Sequence, residues 1–178
     1  MYNGQHTWLV IQTFNRRELS VSTFLTEKGL NHFIPMRFQE RYDGYDKKPK
    51  RVLVPVVHNY VFVEKTLGDD AMQGLLVECP YPSRLLKLKN SDKPSEISNR
   101  EMSEFRMLCD PKYEGKTVIE ENAEDLEIGR EVEVIHGTFA GIRGRLIRKK
   151  NQYWFIKTLA GISVKLRITR WFCRPINE

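Results

Sequence analysis

The residues able to do covalent or metal chemistry are few and scattered. Cys79, Cys109 and Cys173 lie far apart and are odd in number, without the close pairing of a zinc or redox site. His6, His32, His58 and His136 are equally dispersed. There is no phosphate-cradling glycine loop, no dinucleotide fingerprint and no nucleophile elbow. Asp69-Asp70 and Glu120-Glu121 are adjacent pairs, and adjacent side chains on a helix or strand do not converge on one atom. The expectation is a protein that is no enzyme, holds no metal and needs no cofactor. Its functional residues should act by binding.

Three groups could bind. The first is a glycine-rich turn, Val132-Glu133-Val134-Ile135-His136-Gly137-Thr138-Phe139-Ala140-Gly141-Ile142-Arg143-Gly144. Gly137 and Gly141 can take positive φ in the turn, and Gly144 lets two backbones approach closely. Phe139 at the turn tip is either tucked under the loop or exposed for a partner. The second group is aromatic and strand-borne: Trp8, Gln12 and Phe14 share one parity, and Tyr60 and Phe62 share another strand's face. These side chains either complete the core or anchor an interface. The third is basic: Arg16 and Arg17 near the start of the first helix, with Arg84 at the start of the fourth strand. Phosphate contact and ordinary solvation are both open to them.

The elements that must position these groups follow from periodicity. Trp8–Phe14 is β-branched and aromatic, hence a buried strand. Asn15 reads as an N-cap for an amphipathic helix over Arg16–Lys28, which Gly29 stops. His32–Phe38 reads as a strand with Pro35 near an edge, 39–50 as a polar stretch turning at Asp43-Gly44, and Tyr60–Val63 as a strand. Asp69–Val77 is helical, Arg84–Leu88 a strand, and Ser98–Cys109 a helix with a Ser98/Glu101 capping box. This order predicts an α+β, split βαβ or ferredoxin-like layout over 1–110, with one sheet face uncovered. Residues 111–125, with Pro111, Gly115 and an acidic cluster, read as a linker. Short β-rich segments at Glu131–Ile135, Gly144–Ile147, Tyr153–Thr158 and Ser163–Ile168 predict a small barrel over 126–178.

Composition sets the outer bounds. The 178 residues are 40% hydrophobic and 29% charged, as in a folded soluble protein. No apolar run approaches the ~20 residues of a membrane helix, and Met1–His6 lacks signal-peptide character; a cytoplasmic monomer is expected. The formal charge of +6 is uneven: about +2 over 1–110, −3 over 111–125 and +7 over 126–178. The basic last third suits a polyanionic partner or simply a solvated face.

The glycine turn resembles the KOW motif of NusG-type factors. Trp8-Leu9-Val10-Ile11-Gln12-Thr13-Phe14 and His58-Asn59-Tyr60-Val61-Phe62-Val63 resemble the NusG N-terminal (NGN) domain. That family carries Phe-Pro-Gly-Tyr-Val or Phe-Pro-Asn-Tyr-Leu-Phe-Val at the second place; here Val57 and His58 replace the Phe and Pro. The Asn59 form is similar to specialised paralogues of the RfaH and UpxY type, the latter associated with capsular polysaccharide operons. The resemblance implies an NGN domain, an SH3-like KOW barrel and a role in transcription elongation and antitermination. It implies docking on the clamp helices of RNA polymerase's largest subunit through Trp8, Gln12, Phe14, Val57, Tyr60 and Phe62. It further implies non-template DNA at Arg16, Arg17 and Arg84, and ribosomal protein S10 or RNA at the KOW turn Gly137, Phe139, Gly141 and Gly144. A KOW-bearing RNA-binding protein of the ribosome or its assembly is the rival reading.

Overall fold

The computed structural model describes residues 7–44, 46–88, 90–113, 117–121 and 129–176. The chain forms two compact units, one of 1–34 with 57–102 and one of 35–56 with 103–178.

The first unit is built on β1 (Thr7–Thr13). It pairs antiparallel with β5 (Tyr60–Glu64), β6 (Ser83–Leu85) and β7 (Glu96–Ser98), and β2 (His32–Phe33) flanks β5. The register sets Leu9 opposite Val63 and Ile11 opposite Val61 on one face. On the other it sets Trp8 opposite Glu64, Val10 opposite Phe62 and Gln12 opposite Tyr60. Opposed side chains share a face, so the unit's central pair carries two apolar stripes. Both are buried: Leu9, Ile11, Val61 and Val63 on the first, Trp8, Val10 and Phe62 on the second. The expectation of a bare apolar sheet face is therefore corrected. That face is partly open at its two ends, at Gln12 and Tyr60 and at Glu64, and at Phe33 on the flanking β2.

Helix α1 (Glu18–Glu27) buries Val21, Phe24 and Leu25. The expected N-cap at Asn15 is not made. Asn15 and Arg16 are both left-handed, at φ 56° and 55°, and Arg17 occupies the cap position without a side-chain bond. The C-terminal stop is as expected. Gly29 has φ 72°, Leu30 N–H donates to Leu25 O at 2.9 Å and Gly29 N–H to Thr26 O at 2.9 Å, a Schellman closure. Helix α2 spans Asp69–Glu78. Helix α3 (Asn99–Leu108) opens on the expected capping box. Ser98 N–H donates to Glu101 Oε2 and Glu101 N–H to Ser98 Oγ, each at 3.2 Å.

The second unit contains an antiparallel hairpin, β3 (Met36–Asp43) and β4 (Asp46–Pro55), with a bulge between Arg41 and Asp43. It lies where sequence reading expected one strand broken by Pro35 and a polar loop. Phe38 sits opposite Leu53, both exposed, with the Arg51 guanidinium 4.4 Å over the Phe38 ring. The unit also holds a six-stranded antiparallel sheet. Its strands are β8 (Thr117–Glu121), β9 (Arg130–Val134), β10 (Arg143–Lys149), β11 (Gln152–Leu159), β12 (Ile162–Ile168) and β13 (Cys173–Pro175), in the order β13-β9-β10-β11-β12-β8. Strand β8 falls inside the stretch expected as linker and pairs with β12. Phe155, Ile162, Val164 and Leu166 fill the core.

Candidate docking and nucleic-acid interface

The open end of the first unit's sheet is formed by two loops. One joins β1 to α1; the other leads into β5. Asn59, at φ 66°, turns the chain into β5, and its carbonyl accepts from Thr13 N–H at 2.8 Å. Asn is among the few residues besides glycine that tolerate this backbone, which accounts for the Gly and Asn forms of the motif. The Asn59 side-chain oxygen accepts the Arg16 amide at 2.8 Å. That bond helps hold Arg16 in a backbone region that costs a side-chain-bearing residue about 1–2 kcal/mol.

Beneath the loops lies Glu18, 2% exposed. Its carboxylate accepts from His58 Nδ1 at 2.9 Å and from Asn59 N–H at 3.2 Å. A buried carboxylate must be matched by donors, and His58 is one of them. The histidine that replaces the motif's proline thus has a structural duty. Sequence reasoning missed Glu18; an acidic residue in a helix's first turn was the available sign.

The arginines and aromatics meet here. Arg84 Nε donates to Gln12 Oε1 at 3.0 Å, and the guanidinium lies 5.6 Å from the Phe14 ring centre. Arg17 lies 5.6 Å over Tyr81, a residue the sequence did not single out. Both are cation–π distances. A groove of about 600 Å³ adjoins, with Gln12, Gln73, Val77, Arg84 and Lys87 on its walls.

Of the expected docking residues, Gln12 and Tyr60 are half-buried and Phe14 is exposed. Trp8, Val57 and Phe62 are buried and offer a partner no surface, so their expected role as contacts is corrected. Trp8 is the second residue of β1, about 13 Å along the strand from Gln12, and its Nε1 donates to Asn99 Oδ1 at 3.2 Å. Phe62 packs 6.3 Å from Phe33. Parity was read correctly, but burial varies along a face and parity does not report it.

The glycine turn behaves as its residues dictate. Gly137 and Gly141 have φ 82° and 90°. A Cβ on Gly144 would lie 2.5 Å from the Ile156 carbonyl oxygen and 2.5 Å from Phe155 Cζ. Phe139 is tucked in: it is buried, edge-on to Tyr113 at 4.7 Å. Of the two roles left open for it, an exposed anchor is excluded.

The three cysteines are free. Among the described residues no cluster of His, Cys, Asp or Glu is placed to hold a metal ion, and no helix is long and apolar enough to cross a membrane.

A family model described as "Transcription termination factor nusG" matches residues 6–106. No curated protein matches the chain. A solved structure titled "Crystal Structure of MjSpt4:Spt5 complex conformation A" is similar at 15% identity over 96% of this chain and 99% of that one, with a TM-score of 0.28.

Proposed function

Because the chain belongs to the NusG family of transcription factors, we propose that it is an operon-specific elongation and antitermination factor that docks on the clamp helices of RNA polymerase. In this reading a ferredoxin-like NGN domain within residues 1–110 is joined to an SH3-like KOW barrel over 126–178, with β8 of the stretch expected as linker (111–125) adding a strand on β12, in a cytoplasmic monomer. The observation that carries it is the open sheet end, where Gln12, Phe14 and Tyr60 stand beside Arg17 and Arg84. Phe14 and Tyr60 supply aromatic area for a helical partner. Val57 and Phe62, both buried and near Tyr60 in the chain, support the site from beneath. Arg16, Arg17 and Arg84 receive the phosphates of the displaced non-template strand, with Phe14 and Tyr81 as stacking neighbours.

The proposed mechanism is a population shift. Pausing and termination require the polymerase clamp to rearrange. A factor that binds the closed clamp more tightly than the open one favours the closed form by that difference in affinity.

Tyr60→Ala tests the docking. Tyr60 is half-buried and not part of the sealed core, so the variant folds. Immobilised chain should retain core polymerase, and the variant should retain it about tenfold more weakly, as for an interface anchor. Equal retention of polymerase by Tyr60→Ala would count against this site.

A further inference from the structure

The second unit carries an aromatic and basic surface distinct from its glycine turn. A three-residue turn, Arg170–Phe172, follows β12. Its two aromatics behave differently. Phe172 anchors the turn: its carbonyl accepts Ile135 N–H at 2.7 Å, and its ring lies 5.8 Å from His136 and 3.7 Å from where a Cβ on Gly137 would be. Trp171 is 79% exposed. With Phe172 anchoring the turn, an exposed indole adds little to the fold.

Trp171 walls a groove of about 530 Å³ together with Tyr153, Arg167, Arg170, Asn151 and Thr169. Arg148 places its guanidinium 5.7 Å over the Tyr153 ring. Lys149 precedes, and Lys150 and Asn151 form, the left-handed two-residue turn joining β10 to β11. No Asp or Glu lines the groove among the described residues. The surface therefore offers two rings, several fixed cations and no described competing anion.

We propose that this face binds single-stranded RNA, with bases stacked on Trp171 and Tyr153 and phosphates met by Arg148, Arg167 and Arg170. Three chemical arguments favour that occupant. Every base has a π-face, so exposed rings suit an unpaired strand and not a duplex, whose bases are already stacked. Arg148 already donates to Asn151 Oδ1; an apolar protein helix would set no anion against Arg167 and Arg170, whereas a polyanion gives each a phosphate. The Asn151 amide N–H groups and the Thr169 hydroxyl can hydrogen-bond ribose 2′-hydroxyls, which DNA lacks. None of these residues is among those proposed for polymerase docking, and the inference does not depend on them.

The test uses the full chain and a fluorescently labelled unstructured 12-nucleotide RNA, read by anisotropy at several salt concentrations. The RNA binds, and Trp171→Ala weakens binding roughly five- to a hundredfold, the range for losing one stacked base. Trp171→Phe recovers part of the loss. Replacing Arg167 and Arg170 together by Gln lowers the steepness of the salt dependence by about 1.4, the single-strand value for two phosphates. The exposed position of Trp171 leaves the melting temperature of Trp171→Ala unchanged, and the variant still retains polymerase, which separates this test from that of the docking site. Three results would each overturn the inference: Trp171→Ala binding within twofold of the parent, DNA of the same sequence binding as tightly, or a competing acidic peptide displacing nothing but itself binding the groove.

Discussion

Replacing Gly144 by alanine adds a single methyl group, and the geometry makes that group costly. The new Cβ would sit 2.5 Å from the Ile156 carbonyl oxygen and 2.5 Å from Phe155 Cζ, about 1 Å inside ordinary contact. Neither neighbour can yield. Ile156 is fixed by the β10–β11 ladder, where it pairs with Arg145, and Phe155 is completely buried. Overpacking of this kind costs about 1–3 kcal/mol, and two simultaneous overlaps against fixed atoms place Gly144→Ala near about 3 kcal/mol. The gain in strand propensity over glycine, about 0.5–1 kcal/mol, does not offset it. The net loss of about 2–2.5 kcal/mol, with a urea dependence of about 1.5 kcal/mol per molar, should lower the midpoint by about 1.5 M. Gly141→Ala is the matched control. Its Cβ meets nothing within 4 Å, and φ +90° is its sole penalty, worth about 1–2 kcal/mol. Because the chain forms two compact units, the readout should be local: hydrogen exchange of peptides covering 143–159 across a urea series. A Gly144→Ala midpoint equal to or above that of Gly141→Ala would refute the reasoning.

Removing the buried acceptor in Glu18→Ala strands the His58 and Asn59 donors; a loss of about 2–4 kcal/mol is expected, against about 1 kcal/mol for Glu18→Gln, which keeps the shape and one oxygen. Thermal melts of the three proteins check the order, and indistinguishable melts would remove Glu18 from the account. Burial pushes the Cys109 thiol far above its ordinary range and raises that of Cys173 less drastically. Cys109 should therefore resist thiol reagents in the native chain and react on unfolding, which mass spectrometry of labelled peptides reads directly. The same shift fixes a sign: above a pH of about 9 the unfolded chain loses this proton and the folded chain keeps it, so stability falls by up to about 1.4 kcal/mol per pH unit. That slope should be absent from Cys109→Ala.

How much was legible in the sequence depended on whether the signal was local. The Ser98/Glu101 box and the Gly29 stop rest on bonds within six residues, and both are made where expected. The glycines of the turn were equally readable, because φ and close approach leave few residue choices. The β3–β4 hairpin was not. Its two faces carry charged and exposed apolar residues, so no alternation marks it, and its pairing is what makes it a strand pair. Asn15 failed as a cap because the Asn59 side chain, 43 positions from Arg16, holds the loop in another conformation. At the candidate site, side-chain type and the family resemblance singled out Gln12, Phe14, Tyr60, Arg17 and Arg84. Trp8, Val57 and Phe62 could not be told from them, since burial is set by segments distant in the chain. Trp171 left no trace, because an exposed tryptophan and a core tryptophan look the same in a string of letters.

The short loops flanking the sheet's open end are stitched to each other: Arg16 hangs from the Asn59 side chain, while the Asn59 amide and His58 grip the Glu18 that begins α1. Neither loop can shift without loosening the other. A strand of DNA seated against the arginines and a polymerase helix seated against Tyr60 would therefore pull on the same knot. By thermodynamic reciprocity, whatever the first guest does to the second guest's hold, the second does equally to the first.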